Sequence, residues 1–190
     1  MPRSGRRLGV SASPDPSMTE VGGKPPRSWR PFRILVGLVA IPLVVIDQVS
    51  KIYVSNHMML YESIPVIPNW FDITHTQNPG AAFSMFINLP PEARLLMLCT
   101  LSLIACVVLL VLLARTDEIT LTSFALALIL AGAAGNLIDR SLRAGHVIDF
   151  IRVHYYDWSY PIFNVADSAI SVGVVLVILA NLISSKKQTV

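Results

Sequence analysis

Charge is scarce along this chain. Of 190 residues only 14% are Asp, Glu, Lys or Arg, while 53% are apolar and gathered in long runs rather than amphipathic periods. That composition excludes an ordinary soluble domain and describes a polytopic membrane protein. Cysteine is nearly absent, and the two present, Cys99 and Cys106, lie seven apart in one apolar run. Two helical turns separate them by roughly 10 Å, too far for a disulfide. No histidine accompanies them in that run, so both read as small apolar core residues rather than nucleophiles. Internal repeats are missing. So is a small-x-small cleavage pattern after the first apolar run, which is span-length and is expected to stay as an anchor.

What the chain does have is four apolar runs near the roughly 20 residues a helix needs to cross the hydrocarbon. They cover about 32–54, 93–114, 119–138 and 162–183. The net charge of +3 belongs to the N-terminal tail, where residues 1–31 hold six Lys/Arg against two acids and leave the remainder at −1. No nucleic-acid partner follows from it. That tail carries Pro2, Pro14, Pro16, Pro25, Pro26 and Pro31 with almost no large apolar residue, a composition that reads as a disordered extension. Met18 is an alternative start. The division is therefore 1–31 extension, 32–185 membrane domain and 186–190 tail.

Orientation follows from the cations. Arg27, Arg30 and Arg33 precede the first span, Arg115 sits between the second and third, and Lys186 and Lys187 follow the fourth. Four crossings put all of these on one side, so both termini are expected in the cytoplasm and the loops 55–92 and 139–161 outside. Arg94, Arg140, Arg143 and Arg152 offend the rule. In the first outer loop, residues 70–76 alternate and are bounded by Pro65 and Pro68 on one side and Asn78-Pro79-Gly80 on the other. With residues 65–67 as partner they predict a small sheet on the outer surface, shaping a groove for extended peptide. Pro42 is expected to kink the first span.

Polar residues recur at helical spacing near the outer ends of the spans. Asn164, Asp167, Ser168 and Ser171 share one face, Asn136, Asp139 and Arg140 follow the small residues 132–135, and Asp47 and Lys51 are an i, i+4 pair. The pair Asp47–Lys51 reads either as a local ion pair ending the apolar run or as a substrate-facing pair. Asp139 and Arg140 are similarly open, although an Arg at the mouth of a bundle suits a peptide carbonyl or lipid ester. His146 and Asp149 at i, i+3 have the spacing of a metal pair but lack a third ligand. Asp149 and Asp167 carry the strongest signal, because carboxylates at membrane depth are costly and mark function. Arg152 stands at i+3 from Asp149 if that segment is helical. Two carboxylates converging at a partly dry site share a proton near neutral pH, which supplies the acid and base of peptide hydrolysis. A small proton-coupled transporter or channel is the alternative, with Asp139, Asp149 and Asp167 as relay groups. Against it, the acids gather at one face and no paired broken helices are present.

Five segments in order, Asp47-Gln48-Val49-Ser50-Lys51, Asn78-Pro79-Gly80-Ala81-Ala82-Phe83-Ser84, Gly135-Asn136-Leu137-Ile138-Asp139-Arg140, His146-Val147-Ile148-Asp149-Phe150 and Phe163-Asn164-Val165-Ala166-Asp167-Ser168, resemble the motif set of the lipoprotein signal peptidase (signal peptidase II) family over about residues 33–182. The resemblance implies an all-α polytopic fold of four transmembrane helices with a small extracytoplasmic β-sheet and loop over the outer face. It implies a bacterial inner-membrane aspartic endopeptidase that removes the signal peptide of diacylglyceryl-modified prolipoproteins just before the lipidated Cys. The dyad falls on Asp149 and Asp167, without metal or other cofactor. Asn78, Gly80, Asn136, Arg140 and Asn164 fall around the substrate, with Asn136, Asn164 and Arg140 orienting the peptide and stabilising charge on its carbonyl oxygen. Asp139 supports them, and Asp47 and Lys51 are structural or lid-anchoring. The implied partners are lipidated precursors and membrane lipids, with no nucleic acid, and the implied state is a monomer. The long tail before the first span is a departure from the family pattern.

Overall fold

The computed structural model describes residues 29–80, 86 and 88–188, so the expected N-terminal extension, apart from its last few residues, and positions 81–84 of the Asn78–Ser84 segment lie outside the described residues. Within them, the four apolar runs form four helices long enough to cross a bilayer: α1 (Arg30–His57), α2 (Pro91–Ala114), α3 (Leu121–Leu142) and α4 (Val165–Gln188). The helices leave Leu96, Leu103 and Val107 of α2 and Val175, Leu179 and Leu182 of α4 exposed, which suits contact with lipid rather than water.

α1 does not break at Pro42. A proline in a helix lacks the N–H that would serve the carbonyl one turn back, and its ring crowds that carbonyl. The helix relieves both by widening into a π turn over Val36–Ala40, where the Ile41 N–H reaches back to the Val36 carbonyl. α3 starts at Leu121 because Thr120 caps it: the Thr120 hydroxyl accepts from the Ser123 N–H at 3.1 Å, and the Thr120 N–H donates to the Ser123 hydroxyl at 2.8 Å. It runs to Leu142, one turn past the expected end, so Asp139 and Arg140 lie on a helix and not in the loop after it. Ala144 and Gly145 then turn the chain with φ of 49° and 88°. The second of these is a backbone conformation that glycine adopts without strain.

α3 is the inner helix. Half of its apolar window is buried, against 11–17% for the other three. Small residues make this possible. A side-chain carbon on Gly132 would collide with the Ala166 carbonyl of α4, one on Gly135 would lie 2.6 Å from the Asp47 carboxylate of α1, and one on Gly173 would lie 2.8 Å from the Ala125 carbonyl. Cys106 is buried in the resulting core with Leu109, Leu113, Ala127 and Ala131, and both cysteines are free thiols.

The small sheet has four antiparallel strands in the order β1 (Ser63–Ile67), β2 (Phe71–Asn78), β3 (Val147–Tyr155) and β4 (Trp158–Ser159). The expected pairing of 65–67 with the strand that follows is present, as Pro65 opposite Asp72 and Ser63 opposite Thr74. The segment 139–161, expected as a loop, instead supplies the end of α3 and half of the sheet. Its Val147–Phe150 stretch is buried on both faces, which is why β-branched and aromatic residues run there almost without interruption. Asp149 and Arg152 are therefore on a strand, three apart and on opposite faces. Arg152 pairs with its cross-strand neighbour Asp72 at 3.4 Å. Ile148 and Phe150 pack with Val54 and Met58, which ties the sheet to the end of α1.

Candidate functional site

Asp149 and Asp167 reach the site by different routes. Asp149 sits on β3 in register with Thr76 of β2, whose hydroxyl donates to the Asp149 carbonyl at 3.0 Å. Asp167 lies in the first turn of α4, one turn below Asn164, which caps that helix. The Asn164 side-chain oxygen accepts from the Asp167 N–H at 2.9 Å, and the Asp167 carboxylate accepts from the Asn164 N–H at 3.3 Å. This reciprocal cap places a carboxylate at the positive end of a helix, where it is favoured. Phe163, immediately before the cap, exchanges backbone hydrogen bonds with Ile151, so β3 and the start of α4 are held together.

Asn164 joins the two acids. Its oxygen is fixed by the Asp167 N–H, so its amide nitrogen faces the other way and donates to Asp149 at 2.7 Å. Each carboxylate has a second amide donor: Asn78 to Asp149 at 3.2 Å, and Asn136 to Asp167 at 2.8 Å. Asp149 is 3% exposed. Burial, and then the Asp167 carboxylate, push its carboxyl up to about 7 against the pull of Asn78 and Asn164.

Both aspartates line a pocket of about 990 Å³ with Asn78, Asn136 and Arg140. The pocket extends between the helices past Ser102 and Ala105 of α2 and Ser171 of α4. Gly80 sits at its edge, its N–H on the Asn78 side-chain oxygen at 2.9 Å and its carbonyl accepting from Arg140 at 3.2 Å. Arg140 is buried, and among the described residues its Nε has no hydrogen-bond partner. Of Asn136 and Asn164, expected around the substrate, the first donates to Asp167 and the second to Asp149, the Asn136 side-chain oxygen and the Ile148 carbonyl. Among the described residues His146 gathers no group of three metal ligands; its ring nitrogen lies 3.3 Å from the Arg143 carbonyl.

Behind the pocket lies a buried ion cluster. Lys51, with no exposed surface, bridges Asp47 at 2.8 Å and Asp139 at 3.0 Å, and Asp139 also pairs with Arg143. The Asp47–Lys51 pair is thus local, as one reading of its spacing had it, but it is dry and shared with Asp139 of α3. The cluster also satisfies backbone groups that the fold would otherwise leave without partners: Asp47 accepts from the Ala166 N–H in the first turn of α4 at 2.9 Å, and Asp139 from the Ile148 N–H of β3 at 3.1 Å. Gln48 is a member the sequence reading passed over. It donates to Asp47, to the Gly135 carbonyl and to Asp139 at 3.0–3.1 Å. Its position inside the first motif, three residues before Lys51, was the available signal.

With this geometry in hand, comparison with known proteins is consistent throughout. A family model described as Signal peptidase (SPase) II matches residues 39–183. The "Lipoprotein signal peptidase" of Syntrophus aciditrophicus (strain SB) is 42% identical over 158 residues, covering 83% of this chain and 94% of its own. That of Pseudomonas syringae pv. tomato is 46% identical over 147 residues, covering 76% and 83%. A solved structure described as "Bacterial membrane enzyme structure by the in meso method at 2.3 A resolution" superposes with a TM-score of 0.70 at 34% identity, over 79% of this chain and 88% of that one.

Proposed function

This chain belongs to the signal peptidase II family, and from that premise we propose that it is an aspartic endopeptidase that removes the signal peptide from diacylglyceryl-modified prolipoproteins, cutting just before the lipidated Cys. The observation that carries the reading is the pair Asp149 and Asp167, bonded to opposite ends of the Asn164 side chain at the wall of one pocket. One aspartate, ionised, takes a proton from a water that attacks the scissile carbonyl; its protonated partner donates to the carbonyl oxygen. The pair shares one proton and titrates as a unit. Asn78, Asn136 and Asn164 hold the two carboxylates, and Arg140, whose Nε has no partner among the described residues, is the group suited to the substrate carbonyl as charge develops on it. This differs from the expectation that Asn136 and Asn164 serve the peptide directly.

The pocket passes from the sheet down between apolar helices, so acyl chains can stay in the bilayer while the Cys backbone reaches the aspartates. The membrane is the bacterial inner one, with both termini cytoplasmic and the pocket at the outer face. The test is cleavage of a diacylglyceryl-modified prolipoprotein by purified protein in detergent. Asp149→Asn and Asp167→Asn are expected to fold and to yield no product, and a chelator is expected to leave the wild type unchanged. Substantial turnover by either variant would remove the dyad, and equal cleavage of unlipidated precursor would remove the lipid-anchoring account.

A further inference from the structure

The Lys51 ammonium has three protons and three acceptors: Asp47 at 2.8 Å, Asp139 at 3.0 Å and the side-chain oxygen of Asn136 at 3.1 Å. Two of these are carboxylates, and neutralising them is the ordinary reason to bury a lysine. The third is a neutral amide that needs no neutralising. A carboxamide has two orientations that differ by exchange of its oxygen and nitrogen. For Asn136 one of them would set an NH₂ against an ammonium. Lys51 therefore selects the orientation with the oxygen inward, where it also accepts from Asn164 at 3.3 Å, and the Asn136 nitrogen is left aimed at Asp167 at 2.8 Å.

We infer that Lys51 is a positioning residue for the dyad, acting through Asn136 to hold the Asp167 carboxylate at its working orientation, in addition to neutralising Asp47 and Asp139. The inference rests on the proposed function of Asp149 and Asp167. The chain of contacts is short: ammonium, amide, carboxylate. All three side chains come from different helices, α1, α3 and α4, so none of them orders the next through its own backbone.

Lys51→Met alone would strand a buried carboxylate, so the test uses the charge-matched pair Asp47→Asn with Lys51→Met. In that pair Asp139 and Arg143 still balance, and the carboxamide oxygen introduced at position 47 can still accept from Ala166. Steady-state cleavage of a lipidated precursor is measured for the wild type, for this double variant, and for each with Asn136→Ala added, alongside melting in detergent. Loss of orientation at a reacting carboxylate is expected to lower kcat by about 10²-fold with KM changed less than about twofold. With Asn136 already Ala, the Lys51 change is expected to cost less than about threefold, because the group it acts through is gone. Losses that multiply, or a folded double variant with wild-type kcat, would overturn the inference. Where Asn136→Ala gives no measurable product, the split between kcat and KM decides. Where the double variant does not fold, Lys51→Arg keeps the charge but moves the donor off Asn136, and wild-type kcat in it would likewise overturn the inference. Turnover by Asp149→Asn or Asp167→Asn would instead sink the dyad itself, which separates the two failures.

Discussion

Asn164 is the residue on which the site turns, because one side chain does two jobs that its geometry makes compatible: its oxygen caps α4 and its nitrogen holds Asp149. Asp149 in turn shows what a buried carboxylate costs. Folding moves it from water to a buried place beside another carboxylate, and its carboxyl rises to about 7. A folded-state value above the unfolded 3.8 means that folded and unfolded chains are equally protonated at low pH. Stability is then lost as pH climbs from about 4 to about 7, where the unfolded chain has released the proton and the folded chain has not. At about 1.4 kcal/mol per unit, the loss is on the order of a few kcal/mol as an upper bound. Asp149→Asn removes that penalty, so its melting temperature in detergent is expected to exceed the wild type's by several degrees at pH 8, with the gap closing toward pH 4. A gap independent of pH would refute this origin. The same titration governs turnover: wild-type kcat/KM for a lipidated precursor is expected to fall as pH rises past about 7 and the dyad loses its proton, and a flat profile to pH 9 would contradict it.

At the scale of elements, the distance between α3 and α4 sets the distance between the Asn136 amide and Asp167. Gly132 faces Ala166 and Ile170, immediately beside the dyad, while Gly173 faces Ala125 and Ile129 about 9 Å further along the same pair of helices. Gly132→Ala and Gly173→Ala are both expected to destabilise by about 1–3 kcal/mol, since each added methyl meets backbone that must shift. Only Gly132→Ala is expected to lower kcat by about 10²-fold, because a displacement near 1 Å there reaches the reacting groups. Equal kcat losses in the two variants would show that helix spacing acts on the whole bundle and not on the site. The helices were legible because an apolar run of span length, nearly free of charge, is best satisfied by a helix in lipid, and the β1–β2 pairing because its turn is local. β3 was not, because the strand it pairs with lies some seventy residues earlier and nothing in 147–155 records that partner. The helical reading of Asp149 and Arg152 failed for the same reason. Asp149 and Asp167 were legible as acids out of place. That Asn136 and Asn164 donate to the aspartates depends on which end of an amide points where, and a sequence does not encode that directly.

Across the whole molecule, the cations that offend the orientation rule are largely spoken for. Arg143 pairs with Asp139, Arg152 with Asp72, and Arg140 donates to the Gly80 carbonyl inside the pocket. Arg30, Arg33 and Arg115 lie at the opposite end of the bundle, the side that the proposed orientation holds in the cytoplasm. Four crossings bring β1–β2, between α1 and α2, and β3–β4, between α3 and α4, to the other side together, which is what lets them pair into one sheet. The orientation is therefore a single choice for the entire chain. It is expected that, with Cys99 and Cys106 replaced by Ala, a cysteine introduced at exposed Tyr156 reacts with a membrane-impermeant maleimide in intact cells. One introduced at exposed Leu121, at the start of α3, is expected to react only after the membrane is opened. Reversal of the two would put the pocket on the cytoplasmic side and deny it precursors that have crossed the membrane. Labelling of both in intact cells would mean that the chain crosses fewer than four times, and one sheet could not then be built from its two halves.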